Sequence, residues 1–320
     1  MIRSATAQTA HLQSIPWQAF VSRGIKLSVW RDDLNHPLIS GNKLHKLSGN
    51  LNAAKAQGFH QILSFGGPWS NHLHALAFAC QEQGLKSVGI VRGELPEPLT
   101  DTLRDCQQWG MTLIPWSRQQ YRQKHQPEVL EQVLDDIGPS YVVPEGGSNE
   151  AAVSGFDRVW RHIFQSTDSI SHLVCATGTG GTLAGLIRSV DQPLDLIGVQ
   201  CVAEGEATEA RVLDLVGNHQ SPVNWQVDQQ GHRGGFAKVD DCLLDFVDQA
   251  EATFDLPLEP VYTAKALMRV FELLNEGAFR PGDHVVLLHT GGLQGRRGFE
   301  KKFKQVLAKN LKTDFRFTLD

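Results

Sequence analysis

The stretch that decides the fold is CATGTGGTLAGL, residues 175–186. Its apolar opening continues a run from His172, and the run ends in Thr177-Gly178-Thr179-Gly180-Gly181-Thr182. Leu183, Leu186 and Ile187 then recur at helical spacing. Strand, glycine-rich turn and helix in that order are the unit of a parallel α/β sheet. Glycines let backbone amides approach a ligand, and those amides with the positive helix end make an anion site. Phosphate is the natural guest. A plain strand-to-helix turn is the simpler alternative, but it needs fewer glycines. The spacing is not that of a Walker A loop, because no Lys-Ser/Thr pair follows. It also departs from GxGxxG, since position 183 is Leu183.

Working outward, further apolar runs alternate with amphipathic stretches. IKLSVW (25–30), QILSFGG (61–67), SVGIVRG (87–93), MTLIPW (111–116) and YVVPEGG (141–147) read as strands ending in turns. LIGVQCV (196–202) and HVVLLHTGG (284–292) continue the series. Between them Leu44, Leu47, Leu51 and Ala54, and then Leu73, Leu76, Ala77 and Cys80, fall at helical spacing. The expected class is α/β, with mostly parallel twisted sheets flanked by helices. Four strands run into glycine pairs, at 66–67, 146–147, 178–181 and 291–292. Ligands of open α/β sheets bind beyond the carboxyl ends of strands, so these turns predict one cleft built from distant parts of the chain. A domain change is expected near residue 145, where a strand meets Gly-Gly-Ser-Asn.

Three other stretches offer chemistry. ISGNKLHKL (39–47) puts Lys43 in the first turn of a helix, with Asn42 read as its cap. A cation there opposes the helix dipole, so the lysine should release its proton more easily. Lys46, one turn on, reads as a solvated or structural cation. FGGPWSNHLHALAFAC (65–80) lets Ser70 cap a helix that begins at Asn71, freeing amides for a carboxylate; simple capping is the alternative. Trp69 either narrows the pocket beside that site or packs under the helix. His72 and His74 stand two apart, cannot share a helix face, and argue against a metal site. LEPVYTAKALMRV (258–270) places Tyr262 just before a helix, and HVVLLHTGG delivers His289 and Thr290 to a glycine turn.

Bulk properties bound the rest. The 320 residues carry 41% hydrophobic and 20% charged side chains and a net charge of −5, which suits two ordinary globular domains and no nucleic-acid partner. Arg296, Arg297, Lys301, Lys302 and Lys304 read as a solvated helix face. Five cysteines without CxxC spacing predict neither a disulfide framework nor zinc, but buried thiols in a reducing compartment. The amino-terminal MIRSATAQTAHLQSIPW lacks the apolar run of a secretory signal, and no stretch approaches a membrane span. A cytoplasmic protein is expected.

Taken together, Lys after Gly-Asn, Ser-Asn-His after Gly-Gly, a Pro-Val-Tyr segment and His-Thr-Gly-Gly near the end follow a familiar order. From Arg31-Asp32-Asp33 to Gly292 the chain resembles the 1-aminocyclopropane-1-carboxylate (ACC) deaminases and D-cysteine desulfhydrases. These are pyridoxal 5'-phosphate (PLP) enzymes of the tryptophan-synthase-like fold, type II. The resemblance implies two α/β domains with the cofactor between them, a larger one of residues 1–44 and 146–320 and a smaller one of 45–145, and a homodimer. It implies that Lys43 forms the Schiff base and that Gly178, Thr179, Gly180, Gly181 and Thr182 hold the phosphate. By the same carry-over Asn71 bonds the phenolic oxygen, and Ser70 with the amides of Asn71 and His72 takes the substrate carboxylate. Tyr262 would lie near the reacting carbon as an acid or base, and Thr290 would face the pyridine nitrogen. No metal is implied. The short link 34–40 before Gly-Asn-Lys, a different glycine loop, and no Tyr in Val285–Leu288 depart from the ACC deaminases. They favour β-elimination of the D-cysteine desulfhydrase kind, giving pyruvate, ammonia and sulfide. ACC deamination, or elimination or racemisation of another β-substituted amino acid, is the alternative. Binding without turnover and a nicotinamide oxidoreductase are the rivals from other classes; the latter has no use for Lys43.

Overall fold

Apolar runs flanked by helices can be buried on both faces, and they assemble into two separate sheets. The computed structural model describes residues 9–167 and 169–313. The first eight residues of the stretch read above for a secretory signal lie outside them. The strands are β1 (Leu12–Ser14), β2 (Lys26–Trp30), β3 (Gln61–Gly66), β4 (Lys86–Arg92), β5 (Met111–Trp116) and β6 (Tyr141–Val142). They continue with β7 (His172–Thr177), β8 (Asp195–Gln200), β9 (Asn224–Asp228) and β10 (His284–Leu288). One sheet has the order β1-β2-β10-β7-β8-β9 and the other β5-β4-β3-β6. Every pairing is parallel except β1 with β2.

Alternate side chains of the larger sheet feed two cores. Val29, Val174, Val285 and Leu287 face one, and Trp30, Leu173, Val286 and Leu288 face the other. A strand buried on both sides must be apolar throughout, which is why β10 reads as an unbroken run. The smaller sheet divides likewise, with Ile62 and Val91 on one side and Leu63, Phe65 and Ile90 on the other.

Two strands lie outside the sequence reading. β1 has three residues and β9 reads Asn-Trp-Gln-Val-Asp, and both are sheet edges where full apolarity is not required. Conversely, only Tyr141–Val142 of the 141–147 run is strand, because a 3₁₀ turn, Glu145–Gly147, takes over. The basic run is not simply a solvated helix face. Arg296 and Arg297 stand in a 3₁₀ segment, Leu293–Phe299, and pair with Glu251 at 2.6 Å and Asp105 at 2.6 Å.

Five helices position the site: α1 (Asn42–Ala56), α2 (Asn71–Gln83), α3 (Asp101–Gln108), α4 (Gly181–Ser189) and α5 (Thr263–Asn275). α2 and α4 begin beside glycine turns that the sequence singles out, α1 begins after Gly41, which lies against the Thr290–Gly291 turn, and the ends of β3, β7 and β10 converge there. Among the described residues no helix is long and apolar enough to cross a membrane.

Candidate active site

The turn before α1 is set by Gly41, not by Asn42. Gly41 takes the cap position with φ +64°, a region that strains other residues, and a Cβ there would overlap the Thr290 carbonyl. Asn42 is the first helical residue, and its backbone N–H donates to Thr290 O at 3.3 Å. Its side chain joins two predicted parts of the site. Nδ2 donates to Thr182 Oγ1 at 2.8 Å, and Oδ1 accepts from Lys43 Nζ at 2.8 Å. Burial lowers the Lys43 pKa to about 8, against the pull of Glu259. Desolvation, rather than the helix end alone, is what makes this lysine a usable neutral amine.

Lys46 is neither solvated nor ion-paired. It is buried, and Nζ donates to Gly146 O at 3.1 Å and Ser148 Oγ at 2.9 Å. Burial, with Lys43 next in effect, pushes its pKa well below the usual lysine value. A Cβ on Gly181 would stand 3.0 Å from that nitrogen, so the amine abuts the glycine-rich turn. At this turn Gly180 is left-handed (φ +84°), and α4 starts with amides at Gly181, Thr182 and Leu183 that bond no acceptor among the described residues. Thr179 Oγ1 and Ser148 Oγ lie 2.5 Å apart, and a Cβ on Gly146 would come within 2.7 Å of Thr179 Oγ1. Free amides, two hydroxyls and a buried amine with no carboxylate are a donor set for a phosphate.

Ser70 caps α2, its Oγ accepting from Leu73 N at 3.1 Å. The Asn71 and His72 amides bond no acceptor among the described residues, which leaves an anion position at the start of a thirteen-residue helix. The Asn71 side chain accepts from Gln294 Nε2 and lies against Gly292, where a Cβ would meet its Nδ2 at 2.5 Å. Trp69 does not pack under the helix. It is 39% exposed and its ring lies against Gly298.

The tautomer of His72 follows from its neighbour. Ser64 Oγ gives its one proton to Val143 O at 2.7 Å, so it must accept from His72 Nε2 at 2.8 Å. Nδ1 is then a bare acceptor, buried, with no partner. Burial, then Lys43 and Lys46, lower this histidine's pKa to about 3. An orphaned buried acceptor between two amines is the kind of atom a bound polar group completes.

Tyr262 stands at the cap position of α5, its ring against Gly178, where a Cβ would meet Cε1 at 3.2 Å. Burial raises its pKa, as does the nearby Glu259 carboxylate, so the hydroxyl stays protonated. Glu259 is the residue that sequence reading missed. It is buried and accepts from the backbone N–H of Val261 at 2.6 Å and of Tyr262 at 2.9 Å. Burial raises its pKa to about 7, while those amides, Lys265 and Lys43 oppose the rise. The available signal was an acid between Leu258 and Pro260 in an apolar run. Thr290 ends the loop after β10, buried, with its carbonyl against Gly41.

A glycine cradle for phosphate, a lysine with a depressed pKa and a helix end for a carboxylate define a site for a phosphorylated aldehyde cofactor and an amino acid. The chain belongs to the pyridoxal-phosphate dependent enzymes, whose family pattern it matches over residues 15–291. It is 29% identical to a Pyrococcus abyssi protein provisionally named 1-aminocyclopropane-1-carboxylate deaminase, over 92% of this chain and 94% of that one. It is 25% identical to the D-cysteine desulfhydrase of Yersinia enterocolitica, over 84% and 87% of the two chains. The crystal structure of an ACC deaminase homologue superposes with a TM-score of 0.81 at 22% identity, covering 95% of this chain and 96% of that one. The fold is that of type II PLP enzymes.

Proposed function

We propose that this enzyme catalyses β-elimination from a small amino acid, D-cysteine foremost, releasing sulfide, pyruvate and ammonia. The observation that carries the reading is Lys43: an amine with its pKa brought to about 8, tied through Asn42 to the Gly178–Thr182 turn. The phosphate would rest on that turn with Lys46, and the phenolic oxygen at Asn71. When bound, PLP supplies an aldehyde that condenses with amines and a ring that withdraws electrons from the α-carbon.

The remaining work falls to the chain. The Ser70-capped end of α2 holds the substrate carboxylate through the amides of Asn71 and His72. Lys43, free as a neutral amine, takes the α-proton. The Cβ–S bond then breaks, sulfur keeps the electron pair, and the protonated Tyr262 hydroxyl would supply a proton. Glu259 fixes the backbone of Tyr262 through two amides and so sets where that hydroxyl points. Thr290 would offer the pyridine nitrogen a neutral hydroxyl, which would leave the electron sink moderate and suited to elimination. The site lies between a unit of residues 45–145 and one of 1–44 with 146–320. Five free thiols support a cytoplasmic setting, and we assign a homodimer by family.

The test is an absorbance titration of the cofactor-loaded enzyme with D-cysteine, L-cysteine and ACC, assaying sulfide, pyruvate and 2-oxobutyrate. Sulfide and pyruvate from D-cysteine support the reading, whereas 2-oxobutyrate from ACC alone replaces it with ring-opening deamination. Borohydride reduction should leave the cofactor on the Lys43 peptide of wild type and on no peptide of a folded Lys43→Ala variant. Covalent cofactor in that variant would remove Lys43 from its role.

A further inference from the structure

β4 ends at Arg92, whose exposed side chain enters the interval between the two sheets. Its guanidinium carbon lies 5.8 Å from the Tyr121 ring centroid and 5.8 Å from that of Phe236. Tyr121 belongs to the helix Arg118–Arg122 beside the smaller sheet, whereas Phe236 lies in the segment after β9 of the larger. The cation is therefore held between aromatic faces from both sides of the cleft. A Cβ on Gly67 would stand 3.5 Å from Arg92 Nη2, so the guanidinium touches the turn that leads to Ser70. On its other side the Phe236 ring lies 6.4 Å from that of Tyr262. Arg92 is thus one residue's reach from both the carboxylate end and the reacting end of the site.

Two nearby cations are ion-paired, and Arg92 is not. Lys124, 4.7 Å over the same Tyr121 ring, pairs with Glu145 at 3.3 Å. Arg211, which donates to Gly178 O at 3.3 Å, pairs with Glu204. Among the described residues the Arg92 guanidinium makes no ion pair or hydrogen bond. A guanidinium fork fixed by stacking, with its N–H groups unengaged, recognises a planar or tetrahedral oxyanion through two parallel bonds.

We propose that Arg92 determines substrate specificity by binding an anionic group on the far end of the amino acid's side chain. The substrate class is a β-substituted amino acid whose leaving group carries a carboxylate, sulfonate or phosphate. This extends the elimination reading from D-cysteine to amino acids with an anionic leaving group, and rests on it for the placement of the α-carboxylate. For O-phosphoserine the α-proton goes to Lys43, the Cβ–O bond breaks and its electron pair leaves on phosphate. With one water the products are pyruvate, ammonia and phosphate.

Two readouts separate this assignment from the elimination reading. The first is calorimetric binding to the cofactor-loaded enzyme of aspartate against asparagine and glutamate against glutamine, in both enantiomers. Acid should bind roughly ten- to a hundredfold more tightly than amide. That ratio should collapse in Arg92→Gln and persist in part in Arg92→Lys. The second is the ratio of kcat/KM for O-phosphoserine to that for β-chloroalanine, which should fall by a similar factor in Arg92→Gln. A merely structural Arg92 lowers both rates together and leaves both ratios unmoved, which overturns the assignment, as does a wild type with no preference for acid. Acid preference without elimination of any compound sinks the elimination reading alone. Elimination of β-chloroalanine without acid preference sinks the Arg92 assignment alone.

Discussion

Lys43 and Glu259 influence each other electrostatically, with pKa values brought close together, about 8 and about 7. The neutral amine is the nucleophile that captures an aldehyde. In the cofactor-free protein the rate of recapture should therefore climb with pH and level off above about 8, as stopped-flow absorbance would show. Glu259 raises the lysine's pKa, so Glu259→Gln should move the plateau to lower pH; a shift the other way would refute the coupling. Lys46 gives a second test. Burial and the Lys43 charge hold its pKa down, so a phosphate beside it would draw a proton onto it. Pyridoxine 5'-phosphate, which has no aldehyde, should bind less tightly as pH rises, and Lys46→Met should remove that slope. The lowered pKa of Lys43 was read from its place after Gly-Asn at a helix start, although burial is its main cause. Lys46 and Glu259 were not legible, since a charged residue in a polar helix or beside a proline looks the same in sequence whether solvated or buried.

At the level of elements, the same short motifs that end strands also begin helices. Ser70 terminates the turn after β3 and caps α2. Ser70→Ala should cost about 1 kcal/mol in urea unfolding and should weaken carboxylate binding at the freed helix end. Loss of stability with unchanged amino-acid affinity would leave Ser70 a cap only. Strands buried on both faces, such as β7 and β10, announce themselves as apolar runs of five or six residues. Edge strands do not: β9 alternates polar residues because its neighbour lies on one side only. The Gly41 cap was mistaken for Asn42 because the sequence favours asparagine at caps, while the deciding contact, with Thr290, lies almost 250 positions away in the chain.

At the scale of the molecule the cleft is bounded by two sheets, and polar links tie the elements on its two sides. Arg297 reaches Asp105 of α3 at 2.6 Å, and Asp105 also meets His74 at 3.2 Å. Thr102 of the same helix donates to Gln294 at 2.7 Å, and Gln294 donates to Asn71. Asp105→Asn should cost no more than about 1 kcal/mol globally. It should nonetheless raise hydrogen exchange in Asp101–Gln108 and Leu293–Phe299 together. Faster exchange in the helix alone would show that the contact does not join the two segments. None of these cross-links could be read from sequence, because each pairs residues nearly two hundred positions apart or more, within otherwise ordinary surface patterns.

The buried amine of Lys46 also bears on the protein's life in a cell. Two close amines, an imidazole nitrogen and the amides of a helix end form a donor set that favours a bound anion, and whatever binds only the folded form deepens its stability by mass action. Newly made copies that find no vitamin-derived phosphate would then open more often and reach proteases sooner. Abundance of the enzyme would track nutritional supply of its cofactor without any change in transcription.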